Sequence, residues 1–308
     1  MKCALYISGA LLIVGAFVAL PYVGGVLPLV TQPTPREAEL LFGGDVMFDR
    51  YIRDVSERRG QVYVLSCLSD VLNSADYTVV NLEGPITEYE STSRGTRDGE
   101  PGHYRFTFPP ETAATLRGSG VDVAHVGNNH MRDFGSEGIA QTIATLTAAG
   151  VQHFGNPNDT PEMRTYATTV RGVPITFVSW NDWAQAEAAA VASIAGARAS
   201  RSVPIVYTHW GDEYVGAPER VRVLAHRFVD AGAALIIGSH SHVEGEYERY
   251  QGVDIYYSLG NLVFDQYFSE EVRNGILVRA IIKDGVVTTE RIPVRLETDG
   301  RTCLRNLL

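Results

Sequence analysis

Residues 234–242 read Ala-Leu-Ile-Ile-Gly-Ser-His-Ser-His, and the rest of the chain is best read outward from them. An apolar run closed by a glycine predicts a buried strand over 234–238, with His240 and His242 directly beyond its carboxyl end. Side chains two apart on extended backbone point the same way, and Gly238 and Ser239 leave room for a close approach. A lone histidine at a strand end is ordinary structural material. His-Ser-His in this setting points to metal binding.

The same arrangement recurs upstream. A strand expected over 204–208 ends at His209, one over 121–126 at Asn128, Asn129 and His130, one over 77–82 at Glu83, and one over 39–43 at Asp45. Further strands are expected over 175–179 and 255–258, and helices over 62–74, 110–118, 136–149, 183–197 and 218–231. Pro218 suits a first helical turn, and Gly150 and Gly232 follow helix ends. Asp284–Gly285 between two alternating runs, 275–283 and 286–294, predicts a tight hairpin. Strands alternating with helices predict an α/β fold. In such sheets ligands bind beyond the carboxyl ends of the strands. Carboxylate, amide oxygen and imidazole delivered together to that edge suit divalent ions such as Mn, Fe or Zn.

Taken singly, these residues have plainer readings. Asp45 could cap a turn or helix, Glu83 could be a solvated turn residue, and Asn128–Asn129 could satisfy turn backbone. Their joint occurrence carries the metal reading. His103, His125, His153 and His226 lack such context and read as structural or surface residues, residues 88–102 as a mobile surface loop, and the aromatics at 180–183 as core or cleft wall.

Net charge is −10, with 36 acidic against 26 basic residues, which argues against a nucleic-acid partner because phosphates demand a basic footprint. Cys67 and Cys303 could pair in an oxidising compartment, although their spacing alone says little. Residues 5–30 are almost wholly apolar and no charge falls between Cys3 and Pro35, while a membrane span needs roughly 20 such residues. Lys2 on one side and Arg36, Glu37 and Glu39 on the other give a single-pass anchor over 1–30 with its N-terminus cytoplasmic. A stiff linker at 31–37 and one extracytoplasmic domain over 38–308 follow. The alternative is a cleaved signal peptide with Val23 and Gly25 at its processing site, which exports the body equally.

Gly44-Asp45-Val46-Met47, Asn81-Leu82-Glu83-Gly84-Pro85, Gly127-Asn128-Asn129-His130, His209-Trp210-Gly211-Asp212-Glu213, Gly238-Ser239-His240-Ser241-His242 and Ser258-Leu259-Gly260-Asn261 resemble, in order, the motif series of the CapA family. The likeness runs from about Glu39 to Phe268. That family is associated with capsule and poly-γ-glutamate synthesis or export and is similar to calcineurin-like metallophosphoesterases. The resemblance implies two packed mixed β-sheets flanked by helices and a pair of divalent ions at the strand ends. It implies that Asp45 and His242 hold the first ion, that Asn129, His209 and His240 hold the second, and that Glu83 bridges them where phosphoesterases have Asp. His130 becomes a general acid oriented by Asp133, and Glu213 a further polar lining residue. One departure stands out. Metallophosphoesterases begin Asp-x-His, and here the third position is Met47, a poor ligand for hard ions, so the first ion is held weakly, recruits water or Asp49, or is absent.

Two functions fit these residues. One is a metal-dependent hydrolase or transferase acting on a phosphorylated or polyanionic cell-envelope substrate. The other is a non-catalytic partner that binds an anionic polymer within a membrane synthesis or export complex. A secreted phosphodiesterase unrelated to capsule fits the site but not the motif series.

Overall fold

A computed structural model describes residues 37–305 apart from residue 185. The expected anchor at 1–30, and the linker up to residue 36, lie outside those residues. Among the described residues no helix is long and apolar enough to cross a membrane. In chain order the elements are β1 (Glu37–Val46), α1 (Arg50–Arg59), α2 (Ser69–Leu72), β2 (Tyr77–Leu82), α3 (Glu111–Gly118), β3 (Val123–His125) and α4 (Gly135–Ala148). There follow β4 (Gln152–Phe154), α5 (Pro161–Arg164), β5 (Thr165–Val170), β6 (Val173–Asn181), α6 (Glu187–Ala199), β7 (Val203–His209), α7 (Glu219–Asp230) and β8 (Leu235–Ser239). The chain closes with β9 (Tyr247–Tyr250), β10 (Val253–Tyr256), β11 (Asn261–Val263), α8 (Glu270–Arg273), β12 (Asn274–Lys283), β13 (Val286–Leu296) and β14 (Thr302–Leu304).

The strands form two mixed sheets, ordered β14-β13-β12-β1-β2-β3-β4, with β11 paired to the end of β1, and β5-β6-β7-β8-β10-β9. Strand alternation then builds the layers. Leu40, Phe42, Val79, Phe177, Ile205, Tyr207, Leu235 and Ile237 point between the sheets and form one continuous core. Their neighbours Leu41, Val80 and Ala124 face the helices of the first sheet, and Val178, Val206 and Ile236 face α6 and α7 on the second. The two mixed sheets flanked by helices agree with the sequence reading.

Where expectation and structure differ, local chemistry explains it. The helix expected over 62–74 is a 3-10 turn, Gln61–Leu65, then the short α2, with Cys67 between them bonded to Cys303. The helix expected from residue 183 begins at Glu187, because Asn181 Oδ1 accepts the backbone N–H groups of Trp183 and Ala184 and turns the chain first. Helix α1 was not foreseen: it is highly charged and buries only one side, including Ile52 and Val55. Residues 88–102 form no strand or helix, yet they are tied down where the buried Ser93 donates to Asp49 Oδ2 (2.9 Å) and Arg94 pairs with Asp54 and Glu57.

The Cys67–Cys303 bridge spans 236 residues and fastens β14 to the helical layer of the first sheet. Replacing both cysteines with serine is expected to remove about 2–4 kcal/mol from the unfolding free energy, read by denaturant titration without reductant. An unchanged midpoint would contradict this role.

Candidate metal centre

The site straddles the two sheets. β1, β2 and the turn after β3 bring Asp45, Glu83 and Asn129, and β7 and β8 bring His209, His240 and His242. Register makes the approach tight. Pairing shifts between Phe42 and Asp45, so β1 leaves β12 and joins β11. Gly44 allows this, since a Cβ there would lie 1.9 Å from the Gly260 carbonyl oxygen. Gly238 does the same for the histidine turn, where a Cβ would lie 2.0 Å from the Tyr257 carbonyl oxygen. His240 and His242 both have left-handed backbone, with φ of 99° and 57°, a conformation that costs about 1–3 kcal/mol for such residues and clusters at functional sites.

Two sets of ligand atoms converge: Glu83 with His209 and His240, and Asp45 with Glu83 and His242, each set within 4.8 Å. Glu83 is common to both. The spacing is close to twice the roughly 2.0–2.3 Å metal–ligand bond, so small movements would close either set on an ion. All five side chains are buried.

The surrounding hydrogen bonds leave lone pairs pointing inward. Ser239 Oγ gives its proton to the Thr208 carbonyl (2.8 Å), and His209 Nδ1 lies between that hydroxyl (2.9 Å) and Asn81 Nδ2 (3.2 Å). His209 Nε2 meets Asn129 Oδ1 at 2.8 Å, which brings a ring nitrogen and an amide oxygen to one point. Asn261 Nδ2 donates to the His242 and Val272 carbonyls and to Gln266, so its Oδ1 accepts from His242 Nδ1 (3.0 Å). His242 Nε2 is thereby left bare, 3.6 Å from Glu83 Oε1. Glu83 Oε1 and His240 Nδ1 are buried without any hydrogen-bond partner. Such groups are costly unless something satisfies them, and an ion at their focus does so. These residues fit a divalent cation.

Electrostatics agree. Burial, then the neighbouring carboxylates of Asp45 and Glu213, pushes the Glu83 carboxyl well above its usual range. Burial and the adjacent imidazoles hold His209 well below the usual histidine value and His240 down to about 4. Acids that resist ionising and imidazoles that resist protonation are what a cage looks like before its cation is counted.

The bacterial capsule synthesis family PGA_cap matches residues 39–266. The chain belongs to this family. Among curated proteins it is 28% identical to a capsule biosynthesis protein CapA of Bacillus anthracis, across 82% of this chain and 66% of that one. It is 27% identical to the PGA biosynthesis protein CapA of Bacillus subtilis, across 82% and 70%. A probable polyglutamine synthesis accessory protein of Mycobacterium tuberculosis is 29% identical, across 62% and 56%. The chain thus spans about two thirds of the length of the Bacillus relatives.

With the family established, its remaining motif residues can be located. His130 lies beside the cage with Nδ1 3.0 Å from Asp133 Oδ2, its ring packed on Phe106. Asp133 also accepts the Phe106 N–H (2.7 Å), which fixes its carboxylate. Met47 is fully buried among the apolar residues of the helical side, and its Sδ accepts the Asp49 N–H. Asp49 is no substitute ligand. It caps α1 and spends its carboxylate on the Arg50 and Thr107 N–H groups, Ser93 and Arg53.

Sequence reasoning missed the supporting shell. Asn81 Nδ2 donates to Asp45 Oδ1 (2.8 Å), while its Oδ1 faces Asn128 Nδ2 and His125 Nδ1, both at 3.1 Å. His125, read from the sequence as a structural or surface residue, is structural: it is wholly buried and holds this amide in register, with Nε2 2.8 Å from Ser179 Oγ. Its burial lowers it to about 3, so it stays neutral. Its position on an inward strand face was the only available signal. Trp183 stands half exposed over His209 and His240 as part of the cleft wall.

Glu83→Gln is expected to raise the Tm of EDTA-treated protein by about 2 °C or more, because it removes a buried carboxyl that must either hold its proton far above the usual carboxylate range or ionise with no cationic partner among the described residues. The same substitution is expected to weaken Mn or Zn binding at least tenfold. A lower Tm in EDTA would show that the carboxylate is satisfied within the protein.

Proposed function

We propose that this chain serves capsule or poly-γ-glutamate synthesis or export from the outer side of a membrane, with its cage holding two divalent ions for phosphoester chemistry. Family membership supports the capsule context. The buried, partnerless Glu83 Oε1 shared by both ligand sets carries the metal reading. The uncharged, apolar segment over residues 1–30 supports an anchor, and a disulfide supports an oxidising compartment.

In this reading Asp45 and His242 hold the first ion, Asn129, His209 and His240 the second, and Glu83 both. Bound divalent ions supply Lewis acidity at the phosphoryl oxygens and an activated water at neutral pH. Asp133 accepts from His130 Nδ1 and so leaves Nε2 as the nitrogen that would pass a proton to the leaving oxygen. Trp183 and Phe106 shield the imidazoles from bulk water. The Asn261 amide fixes which ring nitrogen of His242 is bare.

Met47 supports a second reading. Beside His242 the first ion would lack the second imidazole that Asp-x-His supplies, and among the described residues none takes its place, which favours a cleft that binds an anionic polymer or partner complex without turning it over.

Elemental analysis of the domain freed of residues 1–35 is expected to give two equivalents of Mn, Fe or Zn. Turnover of bis-p-nitrophenyl phosphate is expected to vanish in His240→Ala. In His130→Ala it is expected to fall about 10²–10⁴-fold with metal content unchanged. Metal-replete protein in which His130→Ala alters neither turnover nor capsule output would favour the binding reading.

A further inference from the structure

Beside the cage lies a cleft of about 320 Å³, and its chemistry is unlike that of an anion site. It adjoins the candidate centre through shared walls. The Tyr214 ring sits 5.8 Å from the His242 ring, and Tyr214 OH accepts from Gln266, which in turn accepts from Asn261, the partner of His242. On the other side Arg50 lies against Phe106 and Phe264, the two rings that carry His130 and His242.

The lining holds three carboxylates, Asp98, Glu213 and Asp265, against one guanidinium, Arg50. That guanidinium is not a free anion hook. Its side chain is only 8% exposed, its Nη2 is paired with Asp265, and its Nη1 donates to His103 Nε2 (3.0 Å). Asp98 accepts from Tyr104 OH. Glu213 has no ion-pair partner among the described residues, and its charge is felt at Glu83. The remaining surface is aromatic: Tyr104 is 54% exposed, Phe268 67%, and Tyr214 meets Phe268 edge to face.

We propose that this cleft receives an uncharged, hydroxyl-rich group, a sugar or polyol joined through phosphate to the reacting centre, and turns away a polycarboxylate chain; this rests on the phosphoester reading of the cage. Carboxylates accept hydroxyl protons at several lone pairs each, and Gln266 and the tyrosine hydroxyls add further polar partners. Exposed aromatic faces cover the C–H faces of such a group. A polycarboxylate would meet Asp98 and Glu213, the two acids that Arg50 does not pair, in a confined space, where like charges cost most. The cage would then take the phosphate and the cleft the neutral remainder.

The test uses full-length protein in detergent at low ionic strength, with binding read by saturation-transfer NMR and calorimetry. The probes are maltotriose, ribitol and tri-γ-glutamate. Saturable binding of maltotriose or ribitol is expected, and which of them binds separates sugar from polyol. Phe268→Ala with Tyr104→Ala, both surface changes, is expected to weaken it at least fivefold. Tri-γ-glutamate, read in EDTA-treated protein so that no cage ion can hold its carboxylates, is expected not to bind, but to gain measurable affinity in Asp98→Asn with Glu213→Gln. Tri-γ-glutamate binding as tightly as either neutral probe, or failure of both neutral probes, overturns the assignment. No variant touches a cage residue. A metal-free protein would therefore sink the phosphoester reading alone, and a protein with two ions that fails here would lose only the cleft.

Discussion

A carboxylate taken out of water with no side chain to balance it is the constraint on which this molecule turns. Glu83 is wholly buried, shares two ligand sets and has one oxygen without a hydrogen-bond partner among the described residues. Asp45 lies close enough to oppose its ionisation. Such an arrangement is costly unless something outside the chain offsets it, and cations at the focus of these groups would do so. Much else follows from holding that point: the register shift in β1, the two glycines pressed against carbonyl oxygens, and the left-handed histidines.

The supporting shell explains how the geometry stays fixed. Asn81 is the hub, with its amide nitrogen on Asp45 and its oxygen facing Asn128 and the neutral His125. Asn261 chooses the bare nitrogen of His242, and Ser239 and Asn81 hold His209 through Nδ1. The first sheet supplies the carboxylates and amides and the second the imidazoles. Packing between the sheets, through residues such as Phe42, Phe177 and Tyr207, therefore sets the distances across the cage.

Much of this was legible in the sequence because strand periodicity and strand-end chemistry reinforce each other. The strand at 77–82 and the ligand candidates at Asp45, Glu83, Asn129, His209, His240 and His242 could be read from short apolar runs ending in polar residues. Short edge strands such as β4 and β9 carry too few residues for alternation to register. Helix α1 hid behind its charge. His125 and Asn81 were invisible as supports because nothing in a linear sequence shows which amide a buried imidazole will meet. Asp49 had an acid's credentials as a ligand, and only the structure reveals that its carboxylate is already committed to a helix cap and a neighbouring loop.

The cage and the cleft beside it have opposite electrostatic needs. The first wants cations, and the second presents acids and aromatic faces. Crystals of the purified protein, with anomalous diffraction recorded across the Mn, Fe and Zn edges, address the central claim most directly. Two peaks flanking Glu83, one toward Asp45 and His242 and one toward His209 and His240, are expected. No peak at Glu83, with its carboxylate instead hydrogen-bonded within the protein, would contradict the metal centre outright.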